Sequence, residues 1–164
     1  MTIMTGQPVP AIPVKHVAAD GVSDTTADQV LGSGKVVLFT VPGAFTPTCH
    51  ANHLPGYLAA ADDIKALGVE KIVCAAVNDH HVMKAWAEAT GALADIEFIS
   101  DGSAALAREL GFDKDMTASG MGTRFGRHAL IIIDGVVQHV ASEPERGEVT
   151  VSGAPAIIEQ LTAL

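Results

Sequence analysis

Lys35-Val-Val-Leu-Phe-Thr-Val-Pro-Gly-Ala-Phe-Thr-Pro-Thr-Cys49 is the stretch on which the reading of this chain turns. Its first seven residues, Lys35 to Val41, form a short, continuously apolar run of the kind buried on both faces of a sheet. Pro42 to Thr46 reads as a loop. A helix is expected from about Pro47 to Leu67, closed by Gly68. Pro47 suits the first helical turn, where its missing N–H is not needed. Pro55 falls within the helix and should kink it. Cys49 therefore lands in the first turn of a helix that follows a buried strand.

Working outward, Thr25 can cap a short helix through Leu31, stopped by Gly32 and Gly34. Lys71 to Val77 is a second buried strand. Asn78 and Asp79 then cap a helix through about Thr90, ended by Gly91. Glu97 to Ser100 is a shorter strand, and Ser103 to Leu110 a short helix stopped by Gly111. His128 to Ile133 and Val136 to Ala141 flank Asp134-Gly135, a strong hairpin signal. Ser152 can cap a last helix, Ala154 to Leu161. Strand and helix alternate, then a hairpin and a closing helix follow. That order implies an α/β fold, a mixed sheet with helices on both faces. No repeat or linker divides residues 1–164, so a single domain is expected.

Composition narrows the function classes. An apolar fraction of 48% with 18% charged residues is globular rather than disordered. A formal net charge of -9 argues against nucleic acid or anionic membrane as partners, since both need a basic surface. The first residues carry Gln7, Pro8, Pro10 and Pro13 rather than a basic start and an apolar stretch, so they do not read as a signal peptide. No apolar run is long enough to span a bilayer. A cytoplasmic protein is the resulting expectation.

The two cysteines sit in different settings. Cys74 lies inside an apolar strand and reads as structural. Cys49 follows a Pro/Gly/Thr loop and reads as open to chemistry. A helix N-terminus presents free N–H groups and partial positive charge, which favour the thiolate. Thr46, one turn earlier, can bring its hydroxyl near the sulfur. Pro42 adds shape without a donor, and Gly43 allows close approach to backbone N–H groups. There is no Cys-x-x-Cys, so exchange within a local pair is excluded. A lone thiolate with nearby donors can instead attack a peroxide oxygen while the donors stabilise charge on the leaving oxygen. The product is a sulfenic acid. A cation is also wanted. Arg127 is the best candidate because arginine stays charged and offers several donors in one plane; Arg124 is close by in sequence.

At this point Pro42-x-x-x-Thr46-x-x-Cys49 resembles the active-site signature of the peroxiredoxins. The words Cys74-x-x-Val-Asn-Asp79, Val82-Met-Lys-Ala-Trp86 and Arg127-x-Ala-Leu-Ile-Ile resemble the type II, or peroxiredoxin-five, group. The similarity runs from roughly Pro8 to the C-terminus. It implies a thioredoxin-like fold with an N-terminal extension, with Cys49 as the peroxidatic cysteine. Thr46 would bond substrate, Pro42 would shield the pocket and Arg127 would complete the site. Gly43, Phe45, Thr48, Arg124 and His53 are the implied substrate-contacting or supporting positions. Reduction of hydrogen peroxide and small organic hydroperoxides, a role in antioxidant defence, and homodimers are also implied; no cofactor is.

Some members carry a resolving cysteine just before the last helix. Here that stretch, Glu148 to Pro155, has none, and Val151 occupies the place. The sulfenic acid should therefore be resolved by an outside thiol, with glutathione and glutaredoxin favoured and thioredoxin the alternative. Three other readings stand beside this one. The chain can be a peroxide sensor that uses the same sulfenic chemistry without efficient turnover. Cys49 and His53, spaced i, i+4, can share a helix face as metal ligands, but no further Cys/His pair stands nearby to complete a site. His80-His81 at a helix start reads as a solvated cap.

Overall fold

The computed structural model describes residues 2–144 and 148–164. In chain order the strands are β1 (Pro13–Ala18), β2 (Gly21–Thr26), β3 (Lys35–Thr40), β4 (Val69–Ala76), β5 (Ile96–Ser100), β6 (Asp113–Asp115), β7 (Thr123–Phe125), β8 (His128–Ile133) and β9 (Val136–Ser142). The helices are α1 (Ala27–Leu31), α2 (Leu54–Ala66), α3 (His80–Thr90), α4 (Ala105–Leu110) and α5 (Ala154–Thr162). One mixed sheet runs in the order β2-β1-β5-β4-β3-β8-β9, and β6 pairs with β7 apart from it. The central strands β3, β4 and β5 are parallel; β1, β8 and β9 are antiparallel to their neighbours.

The continuous apolar runs are explained by burial on both faces. Val37, Phe39, Ile72 and Cys74 point to one face, where Tyr57, Ile64, Trp86 and Ile157 from α2, α3 and α5 cover them. Val36, Leu38, Val73 and Ala75 point to the other, against Val30 and Leu31 of α1 and Leu106 and Leu110 of α4. This is the thioredoxin-like arrangement, with helices on both faces of a mixed sheet. The N-terminal extension lies along the β8–β9 hairpin through Gly6 N to Val137 O at 2.8 Å and Val9 N to Gly135 O at 2.9 Å.

Several local expectations need correction. The β1–β2 hairpin was not anticipated from periodicity, because β2 is largely exposed and polar and has no apolar face to detect. Thr25 lies inside β2 and does not cap α1. The helix expected from Ser103 begins at Ala105, and Asp101 holds its start, its carboxylate accepting from Leu106 N at 3.0 Å and Ala107 N at 2.9 Å. Ser152 does not cap α5; Gly153 stands there and the Ser152 hydroxyl donates to Glu143. Asp79 caps α3 as expected, accepting from Val82 N at 2.9 Å.

The kink expected at Pro55 takes a specific form. Residues Cys49–His53 make a wide π-type turn in which Leu54 N–H donates to the Cys49 carbonyl. In a regular helix the Pro55 ring would press on the carbonyl four residues back. Widening the preceding turn moves that carbonyl aside, and such turns concentrate at functional sites.

The end of β3 is tied to the start of β8 by one hydroxyl. Buried Thr40 donates from Oγ1 to Gly126 O at 2.7 Å and accepts from His128 N at 3.1 Å. These two bonds bracket Arg127. Thr40→Val keeps the shape but leaves a buried N–H and a buried carbonyl unpaired. It should cost about 1–3 kcal/mol of stability, read as a lower urea midpoint with an unchanged slope.

Candidate active site

The loop after β3 is held from three sides. Ala44 N donates to Asn78 Oδ1 at 2.9 Å, and the Asn78 carbonyl accepts from Ser100 Oγ at 2.6 Å. Arg124 donates from Nη1 to Val77 O at 3.1 Å and Pro42 O at 3.4 Å, and from Nε to Met121 O at 2.9 Å. Thr46 donates its hydroxyl to Gly43 O at 2.6 Å. A Cβ on Gly43 would lie 3.0 Å from Arg124 Nη1 and 3.2 Å from Thr46 Cγ2, so glycine is what lets Arg124 and Thr46 close on the loop. Phe45 takes the left-handed region at φ 60° and is half exposed, its ring stacked on His50 at 5.5 Å. Thr48 is half-buried in the turn that leads into Cys49.

Cys49 is fully buried, which corrects its reading as the open thiol. Its turn packs inward against Phe39, Leu54 and Tyr57, in the same apolar cluster as Cys74. Burial pushes the Cys74 thiol well above its ordinary range; the nearby Cys49 adds to this and Arg127 opposes it. Cys49 and Cys74 belong to one apolar cluster, and Arg127 borders it through His53, whose ring packs on Phe39 and Tyr57 of that cluster. Only Cys49 sits on a loop-to-helix turn; Cys74 is in the middle of a parallel strand.

Arg127 is buried, with 8% of its surface accessible. Its Nη1 lies 3.2 Å from His53 Nδ1. A guanidinium can only donate, so Nδ1 must accept and the ring proton must sit on Nε2. That proton has a partner, the Ser152 carbonyl, 3.0 Å from Nε2. The same carbonyl accepts from Tyr57 OH at 2.6 Å, and Tyr57 stacks on Phe39 at 4.0 Å. Burial lowers the His53 pKa from 6.5 to about 4; Ser152 and Glu143 pull it up, and Arg127 pushes it further down. His53 is thus a neutral imidazole at ordinary pH. Both its nitrogens are engaged, which removes it as a metal ligand, and no three His, Cys, Asp or Glu side chains cluster for a metal among the described residues.

The expected residues converge on one end of the sheet: Pro42, Gly43, Phe45, Thr46, Thr48 and Cys49 from the loop and turn, His53 one turn on, and Arg124 and Arg127 from β7 and the approach to β8. A cavity of about 200 Å³ adjoins them, lined by Pro42, Phe112, Gly126, Arg127, His128 and Glu143 among others. His80 and His81 stack on each other at 4.1 Å at the start of α3. Sequence reasoning missed Thr40, Tyr57 and Glu143, and gave Asn78 and Ser152 only capping roles. One signal was present: a lone hydroxyl, Thr40, inside an otherwise apolar strand. The set can hold a thiolate beside a buried cation and a hydroxyl, which suits charge moving from sulfur to a leaving oxygen.

The redoxin family model matches residues 4–158. The chain is 42% identical over 165 residues to rice peroxiredoxin-2E-2, chloroplastic, covering 98% of this chain and 73% of that protein. It is 39% identical to Arabidopsis thaliana peroxiredoxin-2B, covering 97% and 98%. It is 36% identical to Arabidopsis peroxiredoxin-2F, mitochondrial, covering 85% and 69%. Reduced Prx3 from Vibrio vulnificus in complex with hydrogen peroxide superposes with a TM-score of 0.91 at 39% identity, covering 98% of this chain and 99% of that one. The chloroplastic and mitochondrial relatives overturn the cytoplasmic expectation: a mildly acidic, globular composition suits organelle members equally and does not identify a compartment. Among the described residues no helix is long and apolar enough to cross a membrane. With the fold, the loop signature and these relatives in agreement, the chain belongs to the redoxin family, in the type II peroxiredoxin group of thiol peroxidases.

Proposed function

We propose that Cys49 is the peroxidatic sulfur and that the chain works by a one-cysteine mechanism resolved by an external thiol. The observation that carries this reading is the buried Arg127 guanidinium, fixed by a neutral histidine, His53, on the same turn as Cys49. The Cys49 thiolate attacks one oxygen of a hydroperoxide and the O–O bond breaks. Cys49 becomes a sulfenic acid and the departing oxygen leaves as alkoxide or hydroxide, which takes a proton. Arg127 stabilises the thiolate and the developing charge. The Thr46 hydroxyl gives its proton to Gly43 O, so its oxygen is oriented to accept from the peroxide O–H. Pro42 walls the site without competing for it. Hydrogen peroxide and small organic hydroperoxides suit a site this enclosed.

Resolution in trans follows from Cys74. Its thiol is wholly buried in a central strand and held protonated by its surroundings, which makes it a poor attacker. Glutathione attacks the sulfenic sulfur with loss of water, and a second thiol, delivered by glutaredoxin, frees Cys49; thioredoxin is the second choice. The complete enclosure of Cys49 favours one rival reading, a peroxide sensor with slow turnover. We read residues 1–164 as one domain working as a homodimer. Exposed Phe45 and Val151 offer apolar surface for a second copy, and light scattering should give twice the chain mass.

With glutathione and glutaredoxin the purified protein should consume hydrogen peroxide continuously in a coupled assay. Cys49→Ser should abolish consumption and Cys74→Ser should leave most of it. A single stoichiometric burst with every thiol donor would favour the sensor, and equal loss in both variants would place Cys74 in the cycle.

Acid should weaken the protein through its buried imidazoles. His53 and His128 both have pKa values lowered from 6.5 to about 4, burial being the main cause in each. The unfolded chain takes these protons near pH 6.5 and the folded chain only near 4. Their contribution is complete above pH 6.5 and is lost progressively as pH falls toward 4. Urea unfolding at pH 7 and pH 5 should differ by about 2 kcal/mol per imidazole. Peroxidase activity should also fall as pH approaches 4, where a protonated His53 can no longer accept from Arg127.

A further inference from the structure

The stretch from Glu148 to Pro155, which holds no cysteine, is tied to Glu143. The Glu143 carboxylate accepts four hydrogen bonds from two residues. They come from Thr150 N at 2.8 Å, Thr150 Oγ1 at 2.6 Å, Ser152 N at 2.7 Å and Ser152 Oγ at 2.6 Å. Burial alone would raise its pKa, but these bonds outweigh burial and hold it below the usual carboxylate range. Its own backbone N donates to Arg127 O at 3.0 Å.

Ser152 is thereby fixed by both its N–H and its hydroxyl, and its carbonyl is aimed at His53 Nε2 and Tyr57 OH. A neutral imidazole has one donor and one acceptor, and the partner of one nitrogen decides the role of the other. If the proton moved to Nδ1, it would face the Arg127 N–H and the contact would become repulsive. The position of the Ser152 carbonyl therefore selects the form of His53 that can hold Arg127.

We propose that Glu143 is a positioning residue for peroxide attack: it shapes the Thr150–Ser152 turn so that Ser152 locks His53 as the acceptor for Arg127. The inference rests on the reading of Arg127 as the cation that serves Cys49. Glutamine can replace the carboxylate in this role. Its oxygen can take the three donors on one side, and its NH2 can donate to Thr150 Oγ1. Alanine cannot.

The test combines 15N spectra of the His53 ring with single-turnover loss of the Cys49 thiol to hydrogen peroxide, followed by quenching, alkylation and mass spectrometry. In the wild type and Glu143→Gln, Nδ1 should be the unprotonated nitrogen and the rates should agree within about threefold. In Glu143→Ala the two ring nitrogens should average, and thiol loss should slow by about tenfold or more, the scale expected when a reacting group is misplaced. Should Glu143→Ala not fold, Glu143→Asp, one methylene too short, takes its place. Glu143→Ala with a lower Tm but an unchanged His53 signature or an unchanged rate would reduce Glu143 to a structural staple and overturn the proposal. A Gln variant as slow as Ala would overturn it too, since charge rather than bond pattern would then be acting. An Arg127→Ala chain that loses its Cys49 thiol at the wild-type rate would sink the underlying reading of Arg127. The His53 spectra do not depend on that result.

Discussion

A buried cation held by an uncharged partner is the constraint around which this site is arranged. Moving a guanidinium out of water costs several kcal/mol unless something compensates. A carboxylate against Arg127 would compensate and would also cancel the charge. His53 does the first in part and the second not at all. It gives Nη1 a lone pair, stays neutral down to a pH of about 4, and leaves the positive field free to act on a nearby sulfur. Among the described residues no carboxylate pairs with Arg127, and its buried Nε has no hydrogen-bond partner. Among the described residues nothing neutralises this interior charge, and its cost is met by packing elsewhere.

The sheet makes that arrangement affordable by bringing several strand ends to one edge. β3 and β4 are parallel, so their C-terminal ends emerge together and deliver the Pro42–Thr46 loop and Asn78 to the same place. β8 runs antiparallel to β3, so its start lies there too. Thr40 fastens the two at the level of Arg127. Gly126 belongs to the same joint. A Cβ there would meet His128 Nε2 at 2.8 Å, and without one the His128 ring can lie flat on Phe112 at 3.8 Å.

Much of this was legible in the sequence because it is encoded locally. The apolar runs at Lys35–Val41 and Lys71–Val77 mark strands buried on two faces, and Asp134-Gly135 marks its hairpin. Pro47 and Cys49 place a thiol in a helical turn whatever lies around it. The remainder is encoded between distant residues. Glu143 and Ser152 are nine positions apart, and His53 and Arg127 seventy-four, so no period or word announces their contact. Ser152 was read as a helix cap because serine before a helix usually is one; its hydroxyl is instead drawn to a carboxylate, a stronger acceptor. Cys49 was read as open because loops usually are. Its sulfur is enclosed because the turn that carries it faces Phe39 and Tyr57 rather than water.

That enclosure sets two demands against each other. A peroxide is small and gains from a dry, preorganised site, whereas the tripeptide thiol of the proposed cycle is large and must reach the same sulfur. A rigid α-helical turn would serve the first reactant and exclude the second. The segment that carries Cys49 is built less firmly than that. Its hydrogen bonding is the wide π type, its entry passes through Phe45 at positive φ, and on its outer side Trp86 Nε1 donates to His50 Nδ1 at 3.0 Å. Each feature lowers the cost of opening the start of that turn, while its far end, His53, stays held between Arg127 and the Ser152 carbonyl. The positive φ of Phe45 thus lies at the entry to the turn, where the larger reactant of the proposed cycle needs room, and the hold on the cation lies at its exit.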